Sequence, residues 1–294
     1  MMALLQALAT GLLFGGVLAL LSVGLALIFG VMRVVNFAQG DFVMLGMYLC
    51  VGLVAALRID PVVAVIPAFV VMAALGWLVH WALLSRLKGG SAGAALGDPH
   101  LILTLGLSLM LQNGALLAIG ATPMLVSHPR TVAYLNLGGI FVNEARVAAA
   151  VIAVIVSVAF FWFLTRTATG KGMRAVSDDP EAATYVGLDV KGLQGLAFAL
   201  GAGLAGLGGA LVGCFQAVQP FVSWNYIVFM FASVVLGGLG SPYGAAVGGV
   251  AIGMAWGLAP LVLPLELQIL GVFVVFLVVL FVRPHGLFGF VGRV

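Results

Sequence analysis

Between Lys191 and Arg283 a single residue, Glu266, is charged. A soluble domain draws about a quarter of its residues from Asp, Glu, Lys and Arg. A stretch this poor in charge has no water-facing side, and its natural solvent is lipid. The remainder of the chain is similar: 294 residues include 12 Lys or Arg and 9 Asp or Glu, and 64% of the sequence is hydrophobic. The expected fold is an all-α polytopic transmembrane helix bundle, one domain over 1–294. A soluble enzyme, a disordered regulator and a disulfide scaffold are excluded. The net charge of +3 comes from scattered basic residues, which gives nucleic-acid binding no support. Cys50 and Cys214 lie inside apolar runs and read as small buried hydrophobes. Residues 1–32 carry no charge, so the basic start of a signal peptide is missing and the run reads as a first span.

A hydrocarbon core of about 30 Å takes roughly 20 apolar residues in a helix. Apolar runs fall at 5–29, 42–57, 62–84, 101–119 and 147–164, then at 193–214, 226–239, 244–263 and 267–282. The pattern predicts eight or nine spans. The run 226–239 is short enough for a re-entrant half-helix, tolerated where protein buries its ends. Basic residues in short loops favour the cytoplasm. That places inside the loop with Arg86 and Lys88, the loop with Arg166, Lys171, Arg174 and Lys191, and the tail with Arg283 and Arg293. The N-terminus is then outside. Arg130 and Arg146 also fall outside, against the rule, with Glu144 partly offsetting them.

Glycine is abundant, 41 residues against an average share of about 7%. Gly240, Gly244 and Gly248 are spaced by four, as are Gly249, Gly253 and Gly257. Such spacing lines small residues along one helix face. It suits a moving helix pair beside a pathway, or ordinary close packing. Gly201, Gly203 and Gly206 spell G-x-G-x-x-G, but inside an apolar span with no acid before Glu266, so no dinucleotide site is expected. Gly89, Ser91 and Gly93 spell G-x-S-x-G in a Gly/Ser/Ala linker, which reads as a flexible loop. Before Gly170-Lys171, Thr165 stands where a P-loop needs its first glycine, so the chain cannot bind ATP that way. The four histidines are far apart in sequence. No cofactor or metal is expected.

Two regions break the apolar monotony. Residues 166–192 hold eight of the 21 charges. Within them, 177–187 reads as a short helix with both ends marked. Asp179 suits the N-cap and Pro180 the first helical position. Glu181 favours the positive end of the dipole, and Gly187 a left-handed C-terminus. The second region is Asn36, Gln39 and Asp41, entering the short second run. An Asp at mid-bilayer costs about 2.5–3.5 kcal/mol on insertion scales. It asks for a water-filled cavity or a partner such as Arg33. Asp41 lines a pathway beside a broken helix, or it caps a helix at the interface. Gln112 and Asn113, adjacent in the fourth run, line a pore or glue two helices. Few other ionisable groups lie in the spans. That argues against a carrier driven by protons or ions and for a pathway driven by an external motor.

Four stretches then combine: VNFAQGDFVMLG at 35–46, GMRA at 172–175 continuing to GLDV at 187–190, LGGLGSPYGA at 236–245, and RPHGLFG at 283–289. Over essentially its whole length the chain resembles the LivH-like permease subunits of branched-chain amino acid ABC importers. The resemblance implies a bacterial inner-membrane protein that is not itself an enzyme. It implies a homologous second permease subunit, two cytoplasmic ATPase subunits and a periplasmic substrate-binding protein as partners, besides the lipid bilayer. Asp178, Asp179, Pro180, Glu181, Ala182, Ala183 and Gly187 become the ATPase-coupling residues. Glu181-Ala182-Ala183 with Gly187 matches the E-A-A-x-x-x-G pattern of importer permeases, although the hydrophobic-x-Leu-Pro that often follows is absent. Asn36, Gln39, Asp41, Gln112 and Asn113 are expected on the translocation pathway. Chains of this type also carry urea, short amides or aromatic acids; outside the family, the rival is a stand-alone channel or secondary carrier.

Overall fold

The computed structural model describes residues 1–87, 99–137, 139–283 and 286–288. Lys88, the Gly89-Ser91-Gly93 stretch and Arg293 lie outside the described residues. Among the described residues, seven helices are long and apolar enough to cross a membrane. Five of these are α1 (Met2–Met32), α2 (Gln39–Leu57), α3 (Val65–Ala82, extended by the turn Leu84–Arg86), α4 (Pro99–Ile119) and, after the single turn α5 (Pro129–Val132), α6 (Glu144–Arg166). The short helices α7 (Ala168–Asp178) and α8 (Pro180–Tyr185) lead to the sixth, α9 (Val190–Gly213). Then come α10 (Ser223–Gly237), the seventh long helix α11 (Pro242–Leu258, with the turn Ala259–Leu261), and α12 (Gln268–Val282). At 15 residues each, α10 and α12 reach about 22 Å, less than the hydrocarbon thickness. The apolar runs thus become seven long and two short helices.

Among the described residues the all-α expectation holds apart from one hairpin, β1 (Tyr134–Leu137) antiparallel to β2 (Ile140–Asn143). Gln6 of α1 clamps it, donating to the Phe141 carbonyl at 2.6 Å and accepting from the Phe141 amide at 3.0 Å.

Helices α1 and α9 form the buried centre. Without a hydrophobic force between helices in lipid, close backbone contact has to supply the attraction, and that requires small residues. The G-x-G-x-x-G run shows this directly. Gly201 faces Gly24 and Ile28 of α1, Gly203 faces Phe69 of α3, and Gly206 meets Met72 of α3 and Gly46 of α2. The spaced glycines of α11 divide between two neighbours. Gly244 and Gly248 lie on the α10 backbone, and Gly249, Gly253 and Gly257 lie on α1. A Cβ on Gly253 would sit 2.2 Å from the Gly15 Cα, where no side chain can yield. Gly253→Ala is expected to destabilise the bundle by about 1–3 kcal/mol, the usual cost of overpacking. The check is a lowered Tm in detergent; an unchanged Tm would mean that α1 and α11 are not held together there.

Candidate functional site

Helix α1 ends at Arg33, which is left-handed at φ 54°. Its guanidinium does not reach Asp41. It donates to the carbonyls of Ser177 (3.3 Å) and Asp178 (3.2 Å), at the C-terminal end of α7. A cation there satisfies carbonyls that the helix leaves open. Of the two surroundings expected for Asp41, a cavity or a partner such as Arg33, the second is not met.

Residues 33–38 continue without helix. The Asn36 side chain closes a local turn by accepting from the Ala38 amide at 3.1 Å. Its Nδ2 donates to Gln39 Oε1 (3.1 Å), and Gln39 Nε2 donates to the Gly201 carbonyl (2.9 Å), about halfway along α9. From that point α2 follows α9, with Val43 against Gly209 and Met47 against Gly213. So α2 begins beside the middle of a spanning helix. The expected broken helix is present, and its polar residues are what hold the break together. Asn36, Gln39 and Asp41 are each 0% exposed.

Helix α10 starts at the same place. Gly40 lies on the Ser223 backbone and Ile227, so close that a Cβ would be 2.4 Å from the Ser223 oxygen. At its other end, Gly240 meets Gly30 near the end of α1. Two helix N-termini thus converge on Asp41, which lies in the first turn of α2. Their partial positive charge favours a carboxylate there. Phe37, Asp41, Ser108, Gln112, Ser223 and Trp224 line a narrow cleft. Gln112 donates to Ser108 Oγ (3.0 Å) and accepts from Trp224 Nε1 (3.1 Å). Neither carboxylate oxygen of Asp41 accepts a hydrogen bond of good geometry, although Ser108, Gln112 and Ser223 lie around it, and the Ser223 hydroxyl is likewise without a well-formed bond. Buried polar atoms in that state are costly unless something else meets them. Trp224 and Phe221 beside the cleft are exposed, so it opens on the outside of this bundle.

Asn113 is elsewhere. It is exposed and donates to the Leu109 carbonyl of its own helix (2.8 Å). Of the five expected pathway residues, Asp41 and Gln112 line the cleft, Asn36 and Gln39 hold the chain break that precedes it, and Asn113 is not among its lining residues. Sequence reasoning missed Ser108, Ser223 and Trp224. Ser108 carried a readable signal, being one helical turn from Gln112 on the same face.

The charged segment folds as two helices. The expected short one is α8. Asp179 Oδ1 accepts from the Glu181 and Ala182 amides (2.9 and 3.0 Å), with Pro180 in first position. At the other end, Gly187 at φ +84° donates to the Thr184 carbonyl (3.0 Å), and Leu188 to the Ala183 carbonyl (3.1 Å). Those two bonds make a Schellman cap. Ala183 is buried, while Glu181, Ala182, Tyr185 and Val186 are exposed, the last two at 87% and 77%. Before it, α7 was not expected. Thr167 caps it by accepting from the Gly170 amide (3.0 Å), and Met173 and Val176 bury its inner face.

Three of the four stretches that carry the family resemblance meet near the Arg33 end of α1. Ser177 and Gly240 both crowd Gly30, and the Leu287 and Phe288 amides donate to the Leu236 and Gly237 carbonyls (2.8 and 3.0 Å). Among the described residues no cluster of three or more His, Cys, Asp or Glu is placed to hold a metal.

The chain is similar to the high-affinity branched-chain amino acid transport system permease protein LivH of Escherichia coli K12, 26% identical over 97% of this chain and 95% of the relative. It is equally similar to BraD of Pseudomonas aeruginosa, with the same identity and coverage. A probable LivH of Methanocaldococcus jannaschii is 28% identical over 83% of this chain and 77% of its own length. No solved structure matches the chain. The family model described as "Branched-chain amino acid transport system / permease component" matches residues 7–282, and by that match the chain belongs to this family of transport permeases.

Proposed function

We propose that the chain forms one half of the translocation pathway of an ATP-driven importer, with branched-chain amino acids as the substrate. A homologous permease subunit faces the open side of the Asp41 cleft. A binding protein delivers the solute from the periplasm, and two ATPase subunits grip α7 and α8 in the cytoplasm. In this reading the C-terminus and residues 166–192 are cytoplasmic and the membrane is the bacterial inner membrane.

One observation carries the reading. Arg33 ties the end of α7 to the end of α1, immediately before the break that leads to Asp41. Movement imposed on α8 passes through α7 and Arg33 into residues 34–38, and so into the wall of the cleft. Exposed Tyr185 and Val186 give a soluble partner an apolar knob to hold, with Glu181 and Ala182 beside it. The cleft matches the solute in chemistry. A buried carboxylate suits an ammonium group, and Phe37 and Trp224 suit an aliphatic side chain.

The test is uptake of labelled leucine into vesicles holding the complete complex. Accumulation is expected with ATP and none without it. Uptake by the purified chain alone, in the absence of nucleotide, would overturn the reading.

A further inference from the structure

Arg130 and Arg146 both lie in the region that the basic-residue rule places outside, yet the structure treats them differently. Arg130 is neutralised twice, by Asp60 at 2.8 Å and Glu144 at 3.2 Å. Arg146 has no carboxylate within ion-pair distance among the described residues, and its Nε is buried without an acceptor. Its guanidinium lies over the Phe215 ring, 4.9 Å from the centroid. It borders an open cavity of about 230 Å³ lined by the N-terminal part of α1, the β-hairpin and Phe215. Much of the polar wall is already committed. Gln6 is bonded to the Phe141 backbone through both ends of its amide. Asn143 accepts from the Arg146 amide (3.2 Å) and donates to the Thr131 carbonyl (2.8 Å). What faces the space is a guanidinium, the residues Thr10 and Tyr134 with their hydroxyls, and an aromatic ring; among the described residues no acid lines it. The cavity also sits at the N-terminal end of α6, whose dipole adds positive potential.

We propose that this cavity is a binding site for a small aliphatic carboxylate, held by Arg146 with its hydrocarbon part on Phe215. A planar guanidinium pairs with a carboxylate through two parallel bonds, which neither water nor an uncharged amide reproduces. The selectivity for carboxylate stands on the geometry alone. Only the assignment of the cavity as an outer station for the transported amino acid, ahead of the Asp41 cleft, rests on the reading above.

The test uses the full chain in lipid nanodiscs and follows thermal unfolding with three probes. Isovalerate has the carboxylate without the ammonium, L-leucinamide the ammonium without the carboxylate, and L-leucine both. Isovalerate and leucine are expected to raise Tm by about 2–4 °C at millimolar concentration, and leucinamide not to. Arg146→Gln should abolish the shift. Arg146→Lys, which keeps the charge and loses the fork, should weaken it, and Tyr134→Phe should leave a folded protein with a smaller shift. Equal stabilisation by leucinamide and isovalerate would overturn the proposal, as would an undiminished isovalerate shift in Arg146→Gln. Should Arg146→Gln not fold, the Arg146→Lys comparison decides alike: a shift as large as in the unsubstituted chain contradicts the site. A carboxylate-specific shift in a complex that shows no ATP-driven leucine uptake would retain this site and refute the transport reading.

Discussion

Asp41→Asn is expected to cut leucine uptake by the assembled complex roughly tenfold or more, equivalent to about 1.4 kcal/mol of lost barrier stabilisation, while the bundle stays folded. Asparagine keeps the volume and removes the charge. On stability two effects oppose each other. The converging N-termini of α2 and α10 lose a favourable anion, worth about 0.3–1 kcal/mol. Against this, a charged carboxylate no longer has to be buried. The net change in Tm should be small and is as easily positive as negative. A group that gives little stability and much activity is the signature of a functional site. Loss of the folded complex in Asp41→Asn would make the carboxylate structural. Full uptake would remove it from the pathway.

Glu181→Lys and Gly187→Val are expected to uncouple transport from ATP hydrolysis. The assembled complex should hydrolyse ATP while leucine uptake falls roughly tenfold. The two substitutions act by different routes. Glu181 is exposed on α8, so reversing its charge alters the gripped surface and leaves the fold alone. Gly187 is left-handed at φ +84°, where a β-branched residue costs about 1–2 kcal/mol. Helix α8 has only six residues and depends on its caps. Without the Schellman bonds to Thr184 and Ala183 its last turn should fray. Normal transport in both variants would mean that α8 is not the handle.

The caps of α8 were legible because capping is local chemistry: Asp179, Pro180 and Gly187 each have a preferred helical position whatever surrounds them. The long helices were legible through lipid, which demands continuous apolar runs, and predicted bounds such as 193–214 lie close to Val190–Gly213. What escaped was set by tertiary contact. Helix α7 buries only Met173, Val176 and two glycines, too little apolar sequence to stand out. The hairpin is four residues a strand, although the Gly138-Gly139 pair between two apolar runs was a turn signal. Predicted to start at 42, α2 starts at Gln39 because Asn36 and Gln39 bind backbone rather than water. Ser223 joins the cleft across more than a hundred positions of sequence from Ser108 and Gln112, and no periodicity encodes that meeting.

The central claim is that a soluble machine moves this subunit by holding α8. The most direct measurement is labelling of Tyr185→Cys with a membrane-impermeant maleimide; both native cysteines are buried and should stay silent. The cysteine is expected to react in inside-out vesicles stripped of ATPase, to be shielded when the ATPase is restored, and to stay unreactive in intact cells. Labelling from the outer face of intact cells, or equal labelling with and without the ATPase, would contradict the claim.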